Sequence, residues 1–181
     1  MRIIAGTSHG TKLETLEGDE ITRPTAERVK EGIFSSVQFM LEQARVLDLF
    51  AGSGQLGIEA LSRGAEKCVF IDESRDACEV VRRNLKAAGF FKNAVVAQTA
   101  AQSYLAACKE QFDLVLLDPP YHHDTVQAVL PLIERVTAKN GTLIAETEYG
   151  VDMPHSVGAL KLKKQYKYGT IAVARYVKES D

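Results

Sequence analysis

The chain contains no tryptophan, and aromatic residues make up only 7% of it. Its core must therefore be built mainly from aliphatic side chains, for which the total hydrophobic share of 45% is ample. Cysteine is also scarce. The three that occur, Cys68, Cys78 and Cys108, fall in no CxxC or paired spacing. That excludes a disulfide framework and points to a reducing cytosol, with each thiol a small buried apolar group rather than a catalyst. Long apolar runs are missing too. No stretch approaches the roughly 18 residues of a membrane span, and the opening MRIIAGTSHG lacks the apolar core of a secretory signal. A soluble, cytoplasmic protein with no membrane partner is expected. No internal repeat or low-complexity linker divides the 181 residues, so one domain is expected. An excess of positive charge is likewise absent: the net charge is −2, where a phosphate-binding protein usually carries a basic patch. The basic residues are unevenly spread, however. Arg2, His9, Lys12, Arg23, Arg28 and Lys30 mark the N-terminal segment, and Lys161, Lys163, Lys164 and Lys167 the C-terminal one.

What is present is a regular alternation of short apolar runs and amphipathic stretches. Residues 2–5 and 12–16 read as short strands parted by Gly6 and Gly10, a candidate β-hairpin. Thr25 is placed to cap a helix after Pro24, whose apolar positions Val29, Ile33, Phe34, Val37, Met40 and Leu41 recur at helical spacing. Strands are then expected at 46–50, 67–72, 94–97, 112–117 and 141–146, with helices at 56–63, 74–88, 101–109 and 124–138 between them. Such alternation predicts an α/β fold, a parallel sheet covered by helices on both faces. The tail departs from it. Residues 159–166 and 170–177 form two strands joined at Lys167-Tyr168-Gly169, a hairpin that requires an antiparallel pair. Residues 1–42 read as an extension appended to a core of 43–181.

The turn Asp48-Leu49-Phe50-Ala51-Gly52-Ser53-Gly54-Gln55-Leu56-Gly57 joins the first core strand to its helix. Glycine there lets the backbone approach a ligand closely, and Gly57 allows tight helix–strand packing. Asp72 ends the next strand, where a carboxylate can accept from both hydroxyls of a ribose. The literal GxGxxG also fits a dinucleotide-binding oxidoreductase. Asp48, inside the strand, separates the two readings: it would repel a pyrophosphate and attract the ammonium of a methionine moiety. Its bland alternative is a partner for the following helix N-terminus.

Asp118-Pro119-Pro120-Tyr121 ends the fourth core strand. Proline stiffens the turn and frees its carbonyls, so the Asp118 side chain and the Pro119 carbonyl can both accept from a single –NH₂ group. An aromatic amine is a poor nucleophile. Two acceptors on its hydrogens favour a pyramidal nitrogen, with the lone pair aimed at a sulfonium methyl. Tyr121 would stack on a base that has left its helix, or it serves the core. The pair His122-His123 lacks any further ligand cluster at suitable spacing, so no metal is expected.

These segments resemble the RsmD family, bacterial 16S ribosomal RNA guanine-N2 methyltransferases. The resemblance rests on Arg2-Ile3-Ile4-Ala5-Gly6, Gly10, Arg23-Pro24-Thr25, Leu47 to Gly54, Gly57, Glu59 to Ala65 and Asp118-Pro119-Pro120-Tyr121, and extends to the Tyr168-Gly169-Thr170 hairpin. It implies a class I (Rossmann-like) methyltransferase with a seven-stranded, mostly parallel sheet, a C-terminal antiparallel hairpin and an N-terminal β-hairpin and helix extension. It also implies S-adenosylmethionine as donor, giving S-adenosylhomocysteine, and 16S rRNA in the small subunit or its assembly intermediate as partner, with the enzyme a monomer. The residues expected to hold the donor are Asp48, Phe50, Ala51, Gly52, Ser53, Gly54, Gly57, Asp72 and Ala101; Arg2, Arg23, Thr25, Arg28 and Lys164 are the candidates for RNA contact. Ala100 stands where the family commonly has Asp or Asn, so no side chain there can bond the adenine amine. Three alternatives stay open: an amino-methyltransferase for adenine N6 or protein glutamine, a nicotinamide-dependent oxidoreductase, and an assembly factor that binds RNA without modifying it.

Overall fold

A computed structural model describes residues 1–17, 24–120 and 123–180, without the side chains of residues 24, 25, 123 and 124. Helix α1 spans Pro24–Val37 and runs into a 3₁₀ turn at Gln38–Met40. The core then alternates: β1 (Arg45–Leu49), α2 (Gln55–Ser62), β2 (Lys67–Asp72), α3 (Arg75–Ala88), β3 (Ala94–Gln98), α4 (Ala101–Ala107), β4 (Phe112–Leu117), α5 (His123–Val136) and β5 (Thr137–Glu148). A two-residue strand β6 (Ser156–Val157) precedes the long hairpin of β7 (Leu160–Tyr168) and β8 (Ile171–Lys178). All eight strands form one sheet in the order β3-β2-β1-β4-β5-β8-β7-β6. The first five pair in parallel, and β8 joins β5 antiparallel.

The apolar strands form because both sheet faces are buried. Along β1 and β4, residues alternate between two cores. Val46, Cys68, Phe70, Leu114, Leu116, Ile144 and Val173 meet Ile33, Phe34 and Val37 of α1, Ile58 and Leu61 of α2, and Val81 and Leu85 of α3. Leu47, Leu49, Val69, Ile71, Val115, Leu117, Leu143 and Ala145 meet Leu105 of α4 and Val129, Leu130 and Ile133 of α5. Local signals set the helix ends. The Ser74 hydroxyl accepts from the Ala77 amide at 3.2 Å at the start of α3, and Gly89, at φ +83°, closes it.

Three local expectations are corrected. The N-terminal hairpin is present but shorter than expected: around the Arg2–Lys12 antiparallel bridge the Ile3 amide donates to the Thr11 carbonyl at 3.0 Å, and Gly10 to Ile3 and Leu13 to Met1, both at 2.9 Å, before the Ile4 and Ala5 amides turn to Glu59 of α2. The sheet has eight strands, not seven, since β6 adds a short edge pair to β7. Helix α1 already includes Pro24, so Thr25 stands in its first turn instead of capping it; proline fits there because that N–H has no helical acceptor.

What anchors the extension is Glu59 of α2, fully buried. It accepts the amides of Ile4 at 2.9 Å and Ala5 at 3.0 Å, and the Nε of Arg63 at 2.8 Å. Lys30 of α1 lies 3.4 Å from the same carboxylate and donates to the Arg2 carbonyl at 2.7 Å. Gly6 then passes so close to α2 that an added Cβ would lie 1.8 Å from the Ser62 carbonyl oxygen, at a φ of +90°. Only glycine fits there.

Candidate active site

The strand order reverses between β1 and β4, and the cleft of an open α/β sheet lies at the carboxyl ends of the strands beside such a point. Leu49 pairs with Leu117 in parallel register. The glycine-rich turn after β1 and the Asp118 corner after β4 therefore leave the sheet at the same end, side by side.

The turn is wound tightly. Phe50, at φ +59°, occupies the left-handed region that a bulky residue enters only under strain. Ala51 donates its amide to the Ile71 carbonyl at 3.0 Å, and Gly54 to the Ala51 carbonyl at 2.7 Å. Gly54, at φ +78°, starts α2 with no side-chain cap of its own. Asp48 supplies one from the strand: its Oδ2 accepts from the Gly57 amide at 2.9 Å. The helix-partner alternative for Asp48 is thus realised. It leaves most of the carboxylate's acceptor capacity available to an ammonium, since one of about four lone-pair sites is used. Burial, and then the nearby charges of Asp118 and Asp72, hold the Asp48 carboxyl well above the usual carboxylate range. A cation would reverse that. Gly57 packs as tightly as its type implies, because an added Cβ would lie 2.4 Å from the Phe70 ring.

Asp72 ends β2 with Oδ2 on the Gly52 amide and Oδ1 on the Ser74 amide, both at 2.9 Å. Each oxygen retains a lone pair for a ribose hydroxyl, and an added Cβ at Gly52 would meet nothing within 4 Å. There is open room over the turn. The Thr99 amide bonds the Asp72 carbonyl at 3.0 Å, which brings Ala100 and Ala101, at the start of α4, to the same site. Ala100 caps α4 with no side-chain hydrogen bond, so an adenine here would meet backbone groups. Asn84 of α3, a residue that pattern reading missed, donates to the Ser53 carbonyl at 2.9 Å and to the Glu14 carbonyl at 3.0 Å. It ties the turn to the N-terminal extension.

At the other corner Asp118 is half-buried, Pro119 buried and Pro120 exposed. Tyr121 and Arg23 lie outside the described residues, and so does the side chain of Thr25. Glu146 was also missed. It follows Ala145, the partner of Leu117, so it stands level with Asp118 on the adjacent strand. Its signal was an acid closing an apolar run, the same pattern as Ile71-Asp72 and Leu117-Asp118. The basic candidates are placed apart from this cleft floor. Arg2 is paired with Glu27 at 3.4 Å, Arg28 is exposed, and the Lys164 ammonium lies 5.0 Å from the centre of the Tyr166 ring on β7. Among the described residues no group of three or more metal-ligating side chains occurs, and no helix is long and apolar enough to cross a membrane.

This sheet order, with acids ending β2 and following β4 at the carboxyl end of the parallel strands, is that of an S-adenosylmethionine-dependent methyltransferase of the Rossmann-like class. A family model described as conserved hypothetical protein 95 matches residues 1–177, and the chain belongs to that family, the RsmD family. The ribosomal RNA small subunit methyltransferase D of Escherichia coli is 32% identical over 99% of this chain and 91% of its own. YlbH of Bacillus subtilis, a candidate rRNA methyltransferase, is 41% identical over 98% of this chain and 99% of its own. Among solved structures, YhhF of Escherichia coli, described as a candidate methyltransferase, superposes with a TM-score of 0.89 at 31% identity, covering 100% of this chain and 99% of that one.

Proposed function

We propose that the protein transfers a methyl group from S-adenosylmethionine to the exocyclic N2 amine of a guanine in 16S rRNA, in the small subunit or an assembly intermediate. The observation that carries this reading is the parallel pairing of Leu49 with Leu117, which sets the donor turn and the Asp118-Pro119 corner at one cleft. Asp48, Phe50, Ala51, Gly52, Ser53, Gly54, Gly57, Asp72 and Ala101 form the donor side; the donor, when bound, supplies an electrophilic methyl on a sulfonium. Asp118 and the Pro119 carbonyl accept the amine hydrogens, with Pro120 stiffening the turn and Tyr121 stacking on the base. Asp118 or water takes the proton released after transfer. The names of the Escherichia coli and Haemophilus influenzae relatives, both ribosomal RNA small subunit methyltransferase D, support the substrate.

The extension of residues 1–42 contributes Arg2, Arg23, Thr25 and Arg28 to the RNA face, and β7 contributes Lys164. The cation–aromatic pairs of Lys164 with Tyr166 and of Lys167 with Tyr149 suit contact with phosphate and unstacked bases. The protein acts as a cytoplasmic monomer in this reading. Mass-spectrometric mapping of rRNA from cells lacking the gene tests it. One guanine methyl should be missing, and should return with the wild-type gene but not with Asp118→Ala. Labelled methyl groups entering duplex DNA or protein, and not rRNA, would overturn the substrate.

A further inference from the structure

Glu146 has no part in the chemistry above, yet the sheet delivers it to the reacting corner. Val46, Leu116 and Ile144 lie on the sheet face covered by α1 to α3. One pleat further along the same strands stand Asp48, Asp118 and Glu146, on that same face. The parallel register sets Glu146 level with Asp118. On its other side its antiparallel partner is Val173 of β8, buried and uncharged, with Arg175 of the same strand on that face opposite Ile144, and beyond Val173 lies Tyr166 of β7. The buried cation of α1, Lys30, is engaged by Glu59 and the Arg2 carbonyl. The Glu146 carboxyl faces the Asp118 charge across the β4–β5 pair. Burial, and then the Asp118 charge, push its carboxyl up to about 8, as expected for two acids sharing one site.

A neutral carboxyl offers an acceptor and a donor side by side. The Watson–Crick edge of guanine runs amine, N1–H, O6, so beyond the amine it presents a donor and then an acceptor. Adenine presents a ring acceptor and then a carbon. We propose that Glu146 is a specificity-determining residue of this pocket, taking the N1–H and O6 edge of a guanine whose amine rests on Asp118. The Glu146 carbonyl oxygen accepts from N1–H while its hydroxyl donates to O6. This proposal rests on the guanine-N2 reading and deepens it.

The test compares wild type, Glu146→Gln and Glu146→Met on 16S rRNA carrying either guanine or 2-aminopurine at the mapped methylation position, assembled into small subunits. 2-Aminopurine keeps the amine but lacks both N1–H and O6. A good bidentate base contact corresponds to a preference of roughly 5- to 150-fold. Wild type should show a preference of that size for guanine. Gln, whose amide offers the same acceptor and donor, should retain it, and Met should lose it. Wild-type turnover on guanine should also decline as pH rises through about 8, and Gln turnover should not. A Met variant that still discriminates, or a Gln variant as impaired as Met, overturns the proposal. If Met no longer binds S-adenosylhomocysteine, the pH profile decides: a Gln decline matching wild type overturns it. A wild-type enzyme that methylates no rRNA guanine is a different result and defeats the parent reading instead.

Discussion

The carboxyl of Asp48 in β1 accepts the amide of Gly57 in α2 at 2.9 Å, so one acid closes a helix end and, in the proposed function, also faces the donor's ammonium. Asp48→Asn separates the two tasks. The amide oxygen still accepts from Gly57, and the fold should hold, but the charge that faces the methionine ammonium is gone. Hydrogen bonds to charged groups contribute about 1.5–3 kcal/mol, so the S-adenosylhomocysteine dissociation constant should rise about 10- to 100-fold by calorimetry. The ionised form binds, and burial holds the free carboxyl protonated well above the usual range. Wild-type affinity should therefore weaken as pH falls, with Asp48→Asn showing a flatter profile. Parallel profiles would show that Asp48 is only a cap.

Asn84→Ala probes the link between extension and donor turn. The Asn84 side chain is buried and also accepts from the Glu14 amide at 2.8 Å. Its loss strands polar groups of Glu14 and Ser53, at a cost of about 1–3 kcal/mol. Melting should come earlier, and the S-adenosylhomocysteine dissociation constant should rise several-fold, because the Ser53 carbonyl is released. A lower Tm with unchanged affinity would confine Asn84 to stability.

The candidate site was legible where a residue type has few structural uses. The glycines at 52 and 54, the acid ending β2 and the proline corner after β4 all announce themselves locally, and the alternation of elements placed them on one sheet. Glu146 and Asn84 were not legible. Each acts through a neighbour remote in sequence: Glu146 through the β4–β5 register and Asn84 through a loop 31 residues away. Glu59 stood inside a recognised segment, but its role depends on the return of the chain at Ile4 and Ala5. The early end of the N-terminal hairpin has the same origin, since the Ile4 and Ala5 amides bond to Glu59 of α2 while those of Ile3, Gly10 and Leu13 still cross to the opposite arm.

Glu59→Ala should be among the most damaging single changes outside the cleft. It leaves the part-buried Ile4 and Ala5 amides without their acceptor and the buried Lys30 ammonium without its counter-charge, and breaking one partner of a buried pair costs about 3–5 kcal/mol. Tm should fall by roughly 10 °C. Lys30→Met should cost less. Burial already holds the Lys30 ammonium below its ordinary value despite the Glu59 charge, and Glu59 keeps Arg63 and two amides. Equal losses for the two variants in thermal melts would contradict this division.

Glu146 should leave a signature in stability as well as in specificity. Its carboxyl titrates near 4.5 when unperturbed and is pushed up to about 8 in the fold. Below the lower value the group is protonated in both states, and its contribution is fully present. Between the two values the unfolded chain ionises while the folded one does not, so stability falls as pH rises, and the fall ends above about 8. Partial solvation and coupling to the Asp118 charge reduce the effect to about 2 kcal/mol. Melting of the free protein from pH 5 to pH 8.5 should therefore show a decline several degrees steeper in wild type than in Glu146→Gln, whose side chain does not titrate. Superimposable curves would mean that Glu146 is ionised in the folded protein, and the neutral acid that reads O6 would not exist.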